Sequence, residues 1–289
     1  MLRAVRRLLR QSLDYAGLFP PAGLSLPVAV EAYSDYLGHP QAEILSSFVL
    51  PVQALPEAGR LLPEDCDWAF SGLLKGTEIR EASRKIAEFR RRYPQARVEI
   101  IEADIPTDVP LEEHISELSD TFRQTFVFVE IDWRGLYERQ MDAVLATWDG
   151  FGVKLRTGGL TPDAIPPPGV VANWIRATAA RRLPMKATAG LHQPFPHFDS
   201  DVGAGVHGFV NVLFAAMAAL HHQPPPAQLE AILRAGRDVF VFEETSVVCR
   251  GERYSLEQVD ALRANFFRSF GSCSFLEPVE HLERAGLIG

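Results

Sequence analysis

Eight short runs rich in β-branched and aromatic residues, each bounded by Gly, Pro or Asp, recur along this chain, and longer charged segments of helical period separate them. This alternation constrains the fold more than any other feature, because strand and helix in regular succession is the pattern of βα units wound around a parallel sheet. The runs are LDYAGLF (13 to 19), EILSSFVL (43 to 50), DWAFSGLL (67 to 74), RVEIIEAD (97 to 104), FVFVEID (126 to 132), GVKLRTG (152 to 158), PMKATAGL (184 to 191) and SFGSCSF (269 to 275). Eight strands fit a closed (β/α)8 TIM barrel of the α/β class better than an open doubly wound sheet, whose Gly-rich first turn is absent. Neither GxGxxG nor a Walker-type loop occurs.

The segments between the runs support this reading. TEIREASRKIAEFRRRYP sets Ile79, Ala82, Ile86 and Phe89 on one face and stops at Pro94, which predicts a surface helix; residues 111 to 124 and 136 to 148 predict two more. About 80 residues separate the seventh run from the eighth, and they include a buried-type helix at 209 to 220, the break HHQPPPAQ, and a hairpin formed by DVFVFEE and SVVCRGERYS. VFVFEE could alternatively be a barrel strand, which would shift the register. The expectation is a single α/β-barrel domain over 1 to 289, with an insertion after the seventh strand at the catalytic rim, roughly 195 to 268. An extra N-terminal helix, MLRAVRRLLR, is expected beneath the barrel.

A formal net charge of −8 argues against a general nucleic-acid binder, which needs a basic surface. The stretch FVNVLFAAMAAL contains Asn211 and falls short of the roughly 20 residues that a bilayer crossing needs, so no membrane partner is expected. Cys66, Cys249 and Cys273 are odd in number and widely spaced, which suggests neither a disulfide framework nor a thiolate zinc site and fits a reducing, cytoplasmic setting. Cys273 reads as a small packing residue.

Among 29 basic residues only Lys75, Lys85, Lys154 and Lys186 are lysines, so arginine supplies the ordinary surface charge. Lys154 in VKLRTGG and Lys186 in MKATAGL each stand on a predicted strand just before it opens into a glycine-bearing loop, about one βα repeat apart. Neighbouring strands of a parallel barrel would hold both amines at the active-site face. Repulsion between two ammonium groups, with desolvation, is expected to lower one of them; reaching about 7 from about 10.4 takes roughly 4 to 5 kcal/mol. A neutral amine is a nucleophile towards carbonyls. The alternative is that both lysines are ion-pair partners of the strand-end carboxylates Glu102, Asp104, Glu130 and Asp132.

Other candidates surround this pair. Glu130 and Asp132 alternate with Val129 and Ile131 and are expected to face inward together, as catalytic groups or as partners for Lys154 and Arg156. Arg156 faces the same side as Lys154 and could anchor an anion, while Gly158 permits close backbone approach. His192 is placed to act as an acid or base beside Lys186. Asp14 reaches the site if LDYAGLF is the first strand.

The lysine segments resemble deoxyribose-phosphate aldolase and its relatives among the class I aldolases. KLRTGG at 154 to 159 is similar to the family's Schiff-base segment K-x-x-T-G on the sixth strand, and KATAGL at 186 to 191 to its second-lysine segment on the seventh, with Ala189 where glycine is usual. LDYAG, FVLPVQALPEAGRLL and FGSCSF resemble its first strand, second strand with helix, and eighth-strand turn. The resemblance implies that Lys154 forms the carbinolamine and iminium, that Lys186 depresses its pKa, and that Glu102 or Asp104 shuttles protons through a water. It further implies a substrate cradle drawn from Asp14, Arg156, Thr157, Gly158, Gly159, Gly190, Gly271, Ser272 and Ser274. The seventh-strand loop AGLHQPFPH departs from a glycine-rich anion nest, which puts phosphate binding in question.

The leading function is therefore a metal-independent Schiff-base lyase or aldolase, without cofactor, on a small carbonyl compound that is anionic or not, in a chain that could assemble with copies of itself. A metal-dependent hydrolase or isomerase built on His192, His197 and His207 is the first alternative, and a non-catalytic small-anion-binding barrel the second.

Overall fold

The computed structural model describes residues 1–147 and 150–289. Eight parallel strands close into a barrel in the order β1-β13-β7-β6-β5-β4-β3-β2. They are β1 (Leu13–Tyr15), β2 (Leu45–Pro51), β3 (Trp68–Leu73), β4 (Ala96–Asp104), β5 (Phe126–Glu130), β6 (Phe151–Arg156), β7 (Met185–Thr188) and β13 (Phe267–Ser272). Each falls within or overlaps one of the eight predicted runs. The intervening helices are α2 (Leu26–Leu37), α3 (Leu55–Leu61), α4 (Ile79–Arg92), α5 (Leu111–Thr121), α6 (Tyr137–Leu145) and α7 (Pro168–Ala180). In α4 the residues Ile79, Ala82, Ile86 and Phe89 are all buried, as their spacing requires. The predicted helix at 136 to 148 is observed as α6; its last residue, Trp148, lies outside the described residues.

Strand alternation sorts the side chains into two layers. Val153 and Leu155 of β6, Met185 and Ala187 of β7, and Val127 and Val129 of β5 are fully buried in the apolar core, while Lys154, Lys186 and Phe128 belong to the other face of the same strands. Phe128 occupies the barrel interior below the lysines. Gly152 makes this arrangement fit, since a Cβ there would lie 2.7 Å from the Phe128 ring.

The connection after β7 holds a hairpin, β8 (His197–Asp199) with β9 (Ala204–Val206), then helices α8 (Phe209–His221) and α9 (Pro226–Leu233). A three-stranded antiparallel sheet follows, formed by β10 (Phe240–Phe242), β11 (Ser246–Cys249) and β12 (Glu252–Ser255), then α10 (Leu256–Asn265). VFVFEE thus belongs to this separate sheet and not to the barrel. Helix α8 is almost wholly buried, and its Asn211 donates to the carbonyls of Ile232 and Ala235. Among the described residues no helix is long and apolar enough to cross a membrane. The N-terminal helix α1 (Arg3–Leu9) buries Ala4, Val5, Leu8 and Leu9 and packs against α10 and β11. After β13 the chain ends in α11 (Leu276–Arg284).

Candidate functional site

One inward polar side chain from every barrel strand joins a single network at the barrel's centre. Strand register sets its axis: Lys154 on β6 and Lys186 on β7 are direct cross-strand partners, and Glu130 on β5 is the partner of Lys154 on the other side. Glu102 of β4 bridges the two amines. Lys154 Nζ donates to Glu102 Oε2 at 2.9 Å, and Lys186 Nζ to Oε1 at 2.6 Å. Each lysine has a second carboxylate as well, Glu130 at 2.8 Å from Lys154 and Asp14 of β1 at 2.7 Å from Lys186.

Serines from the other three strands complete the network. Ser71 Oγ on β3 donates to Glu102 Oε1 at 2.7 Å, and Ser47 Oγ on β2 donates to Asp14 Oδ1 at 2.7 Å. Ser269 Oγ on β13 donates to Asp14 Oδ2. Lys186 and Asp14 are wholly buried, and Lys154 and Glu102 are 3% exposed. Such a cluster persists only because its buried charges contact opposite charges and hydroxyls directly. Lys186 also lies 5.7 Å from the centre of the Phe128 ring.

The electrostatics correct one expectation from the sequence. Burial works to lower both lysines, but Glu102 and Glu130 hold Lys154 well above the usual lysine range. Burial likewise opposes Lys186, and Asp14 and Glu102 still raise it. Conversely, burial disfavours the Glu102 carboxylate, yet the two ammonium groups bring it well below the usual carboxylate range. Glu130 is lowered too, against burial, chiefly by Lys154. Two amines in one cavity do repel, but each has two carboxylate oxygens in direct contact while the other amine stands one carboxylate away. Attraction at about 3 Å is worth roughly 5 to 6 kcal/mol at an effective dielectric constant of about 20. In the resting site, then, neither lysine is depressed towards neutrality.

The other sequence candidates divide. Asp104 ends β4 as an exposed residue, and only its backbone carbonyl is engaged, by His114 at 3.0 Å. Asp132 does not join Glu130: β5 stops at Glu130, and the exposed Asp132 turns to accept from the Arg134 backbone at 3.0 Å. Arg156 is exposed at the end of β6 and near enough to Glu130 to help hold it ionised. Thr157 is buried, its hydroxyl donating to the carbonyls of Thr188 and Ala189 at 3.1 and 2.7 Å. Gly158 and Gly190 are where the loops after β6 and β7 touch; a Cβ on Gly158 would lie 2.9 Å from Gly190 Cα, and Gly190 has φ +73°. Gly159 faces Ala164 and Gly271 faces Thr188 at similarly short range.

Ser272 Oγ accepts from the Ser274 backbone at 3.3 Å, and Ser274 Oγ accepts from the Glu277 backbone at 3.2 Å, which organises the start of α11. His192 donates through Nδ1 to Glu277 Oε2 at 3.0 Å, with Ser272 Oγ 3.5 Å from the same nitrogen. His197 approaches the Phe195 carbonyl at 3.4 Å, and the buried His207 donates to the Pro166 carbonyl at 2.8 Å. Burial pushes the His207 pKa down, so its ring is neutral. Among the described residues no group of three or more His, Cys, Asp or Glu side chains is arranged to hold a metal ion. Cys273 is a free thiol that burial pushes up, away from nucleophilic character.

Sequence reading missed Ser47, Ser71, Ser269, Phe128 and Glu277. The three serines carried a signal, being hydroxyls at buried positions of largely apolar strands. Glu277 carried none.

No family model and no curated protein sequence matches the chain. Solved structures do. Two structures of a candidate deoxyribose-phosphate aldolase from Toxoplasma gondii ME49 superpose with TM-scores of 0.51 and 0.50 at 12% identity, covering 98% of this chain and 96% and 95% of theirs. The deoxyribose phosphate aldolase of Aeropyrum pernix, described as tetrameric, gives 0.49 at 10% identity over 97% of both chains. The distant resemblance carried by the lysine segments therefore extends to the architecture of nearly the whole chain.

Proposed function

We propose that the chain is a lysine-dependent, Schiff-base lyase or aldolase acting on a small carbonyl compound. One observation carries the reading: Lys154 and Lys186 stand side by side across two barrel strands and share a buried carboxylate, Glu102. Lys154 is assigned as the nucleophile. Its second partner, Glu130, keeps 26% of its side chain exposed, whereas the carboxylates of Lys186 keep 0% and 4%, so a carbonyl entering past Glu130 meets Lys154 first.

At pH 7 an amine at or above the ordinary lysine pKa is free in fewer than about one molecule in a thousand. The proton must therefore move within the cluster, from Lys154 to Glu130 or Glu102, as the substrate arrives. The freed lone pair attacks the carbonyl carbon, the π electrons move to oxygen, and that oxygen takes a proton to give a carbinolamine. Loss of the hydroxyl as water, with one further proton, leaves an iminium cation. The carboxylates that hold the resting ammonium are placed to hold this cation as well.

The iminium accepts the electron pair of the bond between its α and β carbons as the β-hydroxyl gives its proton to a carboxylate, for which we assign Glu102. An aldehyde departs and an enamine remains. Protonation of the enamine and addition of water reverse the first steps and free Lys154. Asp104, exposed at the strand end, has no role in this scheme, and Lys186 serves as the fixed cation that keeps Glu102 ionised.

The test is reductive trapping. Incubation with small aldehydes and ketones followed by borohydride should add the substrate's mass at Lys154, and Lys154→Met should remove the adduct. Absence of any adduct from the unaltered protein would reject imine chemistry.

A further inference from the structure

We infer that the site takes carbonyl compounds without a negatively charged group, and that Glu277 determines this specificity by supplying an internal carboxylate where a substrate anion would bind. The inference rests on the Schiff-base reading and narrows its substrate class.

Two independent observations support it. The first is the charge of the interior. Asp14, Glu102 and Glu130 bring three carboxylates to two ammonium groups, and all of the contacts among them are at 2.6 to 2.9 Å. The cations of the network are thus already spoken for, and one negative charge is in excess. Bringing a further anion up to a buried cluster of that sign is unfavourable, whereas a neutral carbonyl that becomes an iminium restores the balance.

The second is the state of the donors at the strand ends. An anion held beside the lysines would need N–H or O–H groups from the loops after β6, β7 and β13. The Thr157 hydroxyl is given to the Thr188 and Ala189 carbonyls, and the Ser274 N–H to Ser272 Oγ. Gly158 and Gly190 are in contact with each other, so no ligand fits between those two residues. His192, the cationic-capable side chain there, donates to Glu277 Oε2, and Ser272 Oγ stands against the same ring nitrogen. Glu277 is held ionised mainly by that histidine. Of the rim arginines, Arg134 lies 3.9 Å from Asp132, and Arg156 is close enough to Glu130 to help hold it ionised.

Glyceraldehyde and glyceraldehyde 3-phosphate form a matched neutral and anionic pair for the test. Each is incubated with the protein, trapped with borohydride and read by intact mass, with yields normalised to those of Nα-acetyl-lysine treated in parallel. The expected result is an adduct at Lys154 from glyceraldehyde and at least a tenfold lower normalised yield from the phosphorylated compound. Glu277→Gln keeps the side chain's shape at an exposed position and should raise the phosphorylated-to-neutral ratio at least threefold. A phosphorylated yield equal to the neutral one would overturn the inference while leaving the imine intact, and an unchanged ratio in Glu277→Gln would remove Glu277 from it. No adduct with either aldehyde would overturn the Schiff-base reading, and this inference with it.

Discussion

The lysine network and the histidine segment lie only a few residues apart in the chain, between Lys186 and His192, yet the barrel treats them differently. The lysines stand in register on adjacent strands, so the hydrogen-bonded ladder fixes their spacing before any side chain has to choose a partner. The histidines lie on a connection outside the barrel ladder, His197 within the hairpin of β8 and β9, and each one settles on its own acceptor: Glu277, the Phe195 carbonyl or the Pro166 carbonyl. Five titratable groups on the barrel strands make one cluster; three histidines on the connection make separate contacts. The difference shows that spacing in sequence predicts a site only where a regular element converts it into spacing in space.

Three measurements can break or sharpen this contrast. The largest effect is expected for Glu102→Leu, which leaves two buried ammonium groups with one carboxylate each; unfolding free energy by denaturant titration should fall by about 3 to 5 kcal/mol. A loss under about 1 kcal/mol would mean that the lysines find solvent and that the network is not a unit.

The next is the pH dependence of the same unfolding free energy. For Glu102 and Glu130, lowered in the folded state, the contribution is complete above the ordinary glutamate value of about 4.3 and is lost as pH falls below it. For Lys154 and Lys186, raised in the folded state, it is complete below the ordinary lysine value of about 10.4 and is lost as pH rises beyond it. Between about pH 7 and 10 the four groups therefore contribute no slope. An amine depressed to about 7 would instead add roughly 4 to 5 kcal/mol of stability across that interval, because the unfolded chain would bind the extra proton.

The smallest effect belongs to the loop. His192→Asn breaks a pair whose carboxylate is 45% exposed, and the same titration should register less than about 1 kcal/mol.

The barrel was legible because its strands repeat a composition that water and backbone geometry impose, and all eight runs reappear as strands. Lys154 and Lys186 were legible because an arginine-rich chain keeps lysine at two matching strand ends. Their protonation was not legible. The sign of a pKa shift depends on which charges come within contact distance, and the decisive partners are far off in sequence: Glu102 lies 52 residues from Lys154, and Asp14 lies 172 from Lys186. Asp132 misled for a local reason, since period-2 alternation orients a side chain only while the strand continues, and β5 ends two residues earlier. Ser272 and Ser274 look like ligand-binding hydroxyls in a short motif, but helix α11 takes both at its start.

The hydroxyl of Ser269 reaches a carboxylate 255 positions earlier, on the neighbouring strand β1, with which β13 closes the ring. A nascent chain therefore carries Asp14 long before the last stave is available to shut the cask. Until that moment the aspartate lacks the Ser269 hydroxyl and the strand that covers it on one side, while the amine beside it already has Glu102. A chain shortened before β13 therefore leaves the ring open between β1 and β7, even where every acid and amine of the network has already been made.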